Sequence, residues 1–137
     1  NQTWDFIEKE DRNPDEDEMM VHCAHTSRYH WGIVGVSLNF QRGDWILSRV
    51  YTILKRGSEA LHYAKLCMKH TEENNIKDFD LAYAYEALAR SYAAAEDKTN
   101  FEKYNNLAKE AGDKIEKKQN REIFKNDLKT GNWFGLK

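Results

Sequence analysis

Arg42, Trp45, Arg49 and Thr52 form one set of residues at i, i+3, i+7 and i+10, and Tyr83, Glu86 and Arg90 form a second at i, i+3 and i+7. On an α-helix each set lies along one face. The chemistry on offer is recognition. A guanidinium grips a carboxylate through two parallel hydrogen bonds, and aromatic rings add contact area at little entropic cost. Three arginines against one glutamate favour an acidic peptide or a C-terminal carboxylate as ligand. The same residues can instead form an internal network, with Arg49 and Arg90 pairing to Glu86, Asp44 or Asp80 and locking adjacent helices. The two readings differ in energy. Truncating one member of a buried pair costs roughly 3–5 kcal/mol, whereas an arginine left open to solvent costs far less.

A second constellation is Glu18, His22, His25 and Tyr29, at i, i+4, i+7 and i+11, with His30 beside it. Histidines three apart on a helix can share a divalent metal. A complete site needs another ligand, which Glu18 or Glu86 could supply. The spacing is not His-Glu-x-x-His, so a zinc protease is not indicated. The alternative function is therefore a metal-binding helical bundle, with hydrolysis as its chemistry and His22, His25, His30 and Glu18 as ligands. A hydrogen-bonded packing stripe accounts for the same pattern. No glycine-rich phosphate loop, nucleophile elbow or Cys-His pair with a third partner is visible. Nothing positive argues for an enzyme, and no cofactor is expected apart from the metal of the alternative reading.

These side chains need helices to hold them, and the apolar spacing is helical nearly throughout. Asn13-Pro14-Asp15-Glu16 reads as a helix start, with Asn13 as cap, Pro14 at the first helical position and acids at the positive end. That helix should reach about Trp31. A second begins near residues 37–39 and stops by Arg56, with Gly57 as the turn. A third covers about 58–73 and a fourth 79–95, with Asp78 as its cap. Thr99 and Glu102 suggest a capping box for a fifth. A short sixth carries Ile123, Phe124 and Leu128 and ends at Gly131. Short links make neighbours antiparallel. Trp4, Phe6 and Ile7 suggest a docked N-terminal segment, and Trp133, Phe134 and Leu136 a tail that folds back. The expectation is one all-α domain over 1–137, with repeat units at about 40–76 and 79–117 between capping helices.

Forty-one residues separate two echoing stretches, Leu47-Ser48-Arg49-Val50-Tyr51 and Leu88-Ala89-Arg90-Ser91-Tyr92, and the same offset relates Leu66-Cys67 to Leu107-Ala108. Such an offset marks stacked helical hairpins that bury their apolar faces on each other. On Leu47, Ser48, Tyr51 and Ala60, then Leu88, Ala89, Tyr92 and Ala108, residues 40–112 resemble the tetratricopeptide repeat family. The resemblance implies a concave groove lined by Arg42, Trp45, Arg49, Thr52, Tyr83, Glu86 and Arg90. The period of 41 exceeds the family's usual 34, and Phe101 stands where a small residue is expected. The whole chain also resembles a small bacterial protein family, through His22-Cys23-Ala24-His25, Tyr29-His30-Trp31, Arg42-Gly43-Asp44-Trp45 and the run from Asp78 to Ala87. That likeness implies the fold and no activity.

With 137 residues and a net charge of −2, the chain can bury a core and carries no global field for nucleic acid or an anionic membrane. The C-terminal lysines lack aromatics on the same face, so nucleic acid is not an expected partner. No apolar run approaches a membrane span. Two cysteines without a CxxC suit a reducing compartment, and a cytoplasmic protein is expected. The expected partner is a protein or peptide. The acidic stretch at 5–18 and the basic one at 114–129 also leave a homodimer through the two ends open.

Overall fold

Seven helices follow one another, with no strand among the described residues: α1 (Gln2–Glu8), α2 (Pro14–Val34), α3 (Ser37–Ile53), α4 (Gly57–Glu73), α5 (Asp78–Ala94), α6 (Lys98–Asp113) and α7 (Lys118–Lys129). The structure, a computed structural model, describes residues 2–137 apart from the side chain of Val34. The chain is an all-α array in which α3 packs on α4, α4 on α5 and α5 on α6. One helix more is present than the sequence pattern predicts. It is α1, whose seven residues are too few for a periodic signal.

The offset of 41 governs the geometry as well as the sequence. Helices α3 and α5 both start and end 41 residues apart, and α4 and α6 start 41 apart. Each hairpin turns on a left-handed residue at the equivalent place, Lys55 (φ 55°) and Glu96 (φ 62°). Gly57 is therefore not the turn. It opens α4, where a Cβ would lie 2.7 Å from the Ala95 Cα. The two units also repeat a tyrosine stack. Tyr51 lies on Tyr63 at 5.8 Å and 6°, and Tyr92 on Tyr104 at 5.5 Å and 9°.

Local capping follows the sequence at one helix and departs from it at two. Asn13 accepts from the Glu16 amide while Glu16 reaches back to the Asn13 amide, closing a capping box on α2. Asp97, not Thr99, caps α6, because its carboxylate is the one placed to accept from the Asn100 amide. Asp78 is the first residue of α5 rather than its cap, and its carboxylate takes the Glu116 amide across to the end of α6.

The core is built mainly of small residues between large ones. Ala60, Ala64, Ala82, Ala84, Ala89, Ala93 and Ala108 are fully buried and let the helices approach closely. Phe101, large where a small residue is expected, packs against Trp133 at 5.7 Å. The C-terminal tail thus supplies the partner that makes the bulk acceptable, and Trp133 is buried. About three turns further along the same face of α6, Gly112 admits the Phe124 ring, which a Cβ would meet at 2.6 Å. That close approach seats α7 beside α5 and α6.

Candidate functional site

The two helical faces expected to carry chemistry do converge, and repeat equivalence explains how. Trp45 and Glu86 are 41 apart, as are Arg49 and Arg90, so each side chain on α3 faces its counterpart on α5. The Trp45 indole Nε1 donates to Glu86 Oε1 at 2.8 Å, and Arg90 Nε donates to Glu86 Oε2. Glu86 and Arg90 are each about 2% exposed. Arg90 Nη2 donates to the Asp127 carbonyl at 2.6 Å, and its guanidinium lies 4.1 Å from the Trp133 ring centre. Arg90 Nη1 is buried with no partner.

The expected row of open arginines is therefore not present, and the reason is tertiary. Helix α7 and the tail cross this end of the face. Gly131, with φ +84°, lies so close that a Cβ on it would be 2.8 Å from Arg90 Nη1 and 3.1 Å from Arg49 Nη2. Arg49 is partly buried, and its guanidinium makes no hydrogen bond or ion pair among the described residues. Burial, then the neighbouring Arg90, push its pKa down to about 10. The cranny between Trp45, Arg49, Thr52 and Arg90 has no room for a water molecule. Thr52 is buried there and donates to the Arg49 carbonyl. Arg42 stays exposed, yet both its Nε and Nη2 go to the two oxygens of Asp80, at 3.0 and 3.1 Å. Asp44, another suggested partner, lies on the opposite face of α3, where Arg28 Nε donates to it at 3.0 Å.

What remains open is a hollow of about 370 Å³ beside Arg42, at the lower end of the ~300–1,000 Å³ usual for small-ligand sites. Trp45 and Tyr83 form its floor, edge to face at 5.6 Å and 85°. Trp4 of α1 leans on Trp45 at 5.8 Å, and Phe79 on Tyr83 at 4.7 Å. Gln41, Ile46, Asp80 and Asp127 complete the lining. The Tyr83 hydroxyl donates to Asp127 Oδ2. Burial, and then this carboxylate, hold the Tyr83 phenol protonated by raising its pKa. Of these residues, Trp4, Gln41, Ile46, Phe79 and Asp127 are absent from the sequence-derived set. The i, i+3, i+7 pattern carries no signal for Trp4 or Asp127, since both lie on helices outside the repeat. Phe79 could have been read from its place four residues before Tyr83.

The histidine stripe does not assemble into one place. His25 turns inward, where its Nε2 lies 2.9 Å from the Tyr51 hydroxyl and its ring meets Tyr51 and Tyr63 edge-on. Burial lowers its pKa, with His22 adding to the effect. His22 is exposed one turn before His25, His30 is exposed against Trp31, and Glu18 is reached by Arg56 at 3.3 Å. Among the described residues no three His, Cys, Asp or Glu side chains gather as a metal would need. The reason is angular. His30 is five residues from His25, roughly 140° around the helix, and His22, although one turn away, stays at the solvent edge while His25 packs on the tyrosines.

No protein-family model, curated protein or solved structure matches the chain.

Proposed function

We propose that this chain is a tetratricopeptide-like interaction module, and that it binds a peptide or protein segment by taking one of its side chains into the aromatic hollow. The observation that carries this is the hollow itself. Four rings from three helices, Trp4, Trp45, Phe79 and Tyr83, leave it open although the core nearby is closely packed. Aromatic anchors of this kind dominate the energy of protein interfaces. The walls are set before any ligand arrives, since Trp45 is tied to Glu86 and Tyr83 to Asp127. Pre-formed walls limit the ordering cost of binding. The one hydroxyl–carboxylate pair of the lining among the described residues, Tyr83 with Asp127, keeps its phenol protonated, which suits it to hold a wall rather than to attack a substrate.

Among the described residues no helix is long and apolar enough to cross a membrane. Both cysteines are free, and burial raises the Cys67 thiol pKa. Free thiols suit the reducing cytoplasm, which is where we place the protein.

A phage-displayed library of random heptapeptides, selected on the immobilised protein, tests the reading. Selected peptides should lose about tenfold or more in affinity, roughly 1.4 kcal/mol, on Trp4→Ala and on Phe79→Ala. Both variants should keep the wild-type unfolding midpoint to within a few degrees. Peptides that bind these folded variants as tightly as wild type would reject the hollow as the site.

A further inference from the structure

The sign of the ligand can be read from what the fold has done with the charges around the hollow. Three arginines in sequence suggest an acidic ligand. In the folded chain each of them is withdrawn from that role. Arg42 is matched by Asp80 through two hydrogen bonds, so the pair adds no net charge to the rim. Arg90 is sealed against Glu86 and Trp133. Arg49 lies behind Trp45, in a cranny too small for water.

Asp127 is treated differently. It reaches the hollow from α7, and its carboxylate lines the wall. One oxygen, Oδ2, accepts from the neutral Tyr83 hydroxyl. Oδ1 accepts no hydrogen bond, and no lysine or arginine nitrogen lies within ion-pair distance of either oxygen, among the described residues. Arg90 touches Asp127 only at the backbone carbonyl. With Arg42 and Asp80 cancelling, the charge of the lining itself is that of Asp127; Arg49 interacts with this carboxylate electrostatically from behind Trp45, outside the lining and without a hydrogen bond among the described residues.

That charge stands among four aromatic rings. Ring faces attract cations through their quadrupole, most strongly in tryptophan. Lysine and arginine also carry long apolar stems that lie well along aromatic walls while the charged head seeks an acceptor. A carboxylate ligand would meet the opposite conditions, with ring faces and Asp127 both repelling it. An aliphatic side chain would fill the space and leave the Asp127 charge without a partner in a site the ligand has dried.

We infer that the hollow receives a basic side chain, lysine or arginine, of a partner protein segment, with its cationic head on Asp127 and its stem along Trp4, Trp45 and Phe79. This rests on the hollow being the binding site proposed above. It reverses the ligand charge that the arginine-rich sequence pattern suggests.

The test uses synthetic heptapeptides of otherwise identical serine-glycine sequence with Lys, Arg, Glu or Leu at the centre. Binding to the full chain is followed by tryptophan fluorescence and by the indole N–H signals in NMR. The Lys and Arg peptides should bind at least tenfold more tightly than the Glu and Leu peptides. Asp127→Asn keeps an acceptor for the Tyr83 hydroxyl while removing the charge. It should erase most of that preference at an unchanged melting temperature. Raising the salt concentration should weaken the Lys peptide and leave the Leu peptide unmoved. If the Glu or Leu peptide binds as well as the basic ones and still perturbs the Trp45 indole signal, the charge assignment is overturned and the hollow stands as a site. If basic peptides keep their advantage on Asp127→Asn, the assignment of Asp127 is overturned. If no peptide perturbs the Trp4 or Trp45 signals at millimolar concentration, the hollow is not a side-chain site and both readings fall.

Discussion

Glu86→Gln is the substitution whose effect the structure specifies most closely. The carboxylate is about 2% exposed and serves two donors, the Trp45 indole and the Arg90 guanidinium. A glutamine amide can accept from only one of them and turns an N–H₂ group toward the other. Arg90, itself about 2% exposed, then keeps only the Asp127 carbonyl and the face of Trp133. Breaking a buried ion pair by removing one partner costs roughly 3–5 kcal/mol, against a total domain stability of about 5–15 kcal/mol. At about 4 °C per kcal/mol for a chain of this size, the melting temperature should fall by about 12–20 °C. Arg90→Met should cost a similar amount, because it leaves Glu86 charged with one indole donor. The double variant Glu86→Leu/Arg90→Met removes both charges. It loses the acceptor of the Trp45 indole and the donor to the Asp127 carbonyl, about 1–3 kcal/mol each, but escapes the desolvation of an unpaired ion. It should therefore be more stable than the sum of the single effects predicts, by about 2 kcal/mol or more. Urea unfolding followed by far-ultraviolet circular dichroism measures all three. Single substitutions costing under ~1 kcal/mol, or strictly additive ones, would refute the claim that this pair is sealed and coupled.

Arg49 should behave in the opposite way. It is partly buried beside Arg90 and has no ion-pair partner among the described residues, so Arg49→Met should leave stability unchanged or raise it. A loss of more than ~1 kcal/mol in the same urea assay would show that the guanidinium has a stabilising role in the fold. His25 gives a pH prediction. Its pKa is lowered in the folded chain from the ordinary 6.5, by burial and by His22. The unfolded chain therefore binds more protons between the lowered value and 6.5, so stability rises with pH across that window, and the same amount is lost as the pH falls back through it. Subtracting the stability–pH curve of His25→Gln from that of wild type should isolate this slope, and a flat difference curve would contradict it.

The positions of the helices were legible because helical periodicity is local. The 41-residue echo went further, since it identified which residue of α5 would stand beside which residue of α3. Trp45 meets Glu86 and Arg49 lies beside Arg90 for that reason. Two features resisted reading for a physical reason as well. The caps at 78 and 97–99 depended on which of several adjacent polar side chains reached an amide, a choice made by distances below a residue's length. The histidine stripe was continuous on a helical wheel, yet packing on Tyr51 and Tyr63 took His25 alone inward.

Residue order alone determined an all-helical chain, its hairpin spacing and the pairing of equivalent faces, because each follows from short-range periodicity repeated at a constant offset. Tertiary structure decided which charges stay available. Helices α1 and α7 belong to no repeat, and no register in the sequence says where they land. By landing on the α3–α5 face they bring in Trp4 and Asp127, while α7 and the tail after it close over Arg49 and Arg90, and the lining of the hollow that stays open takes its net charge from Asp127.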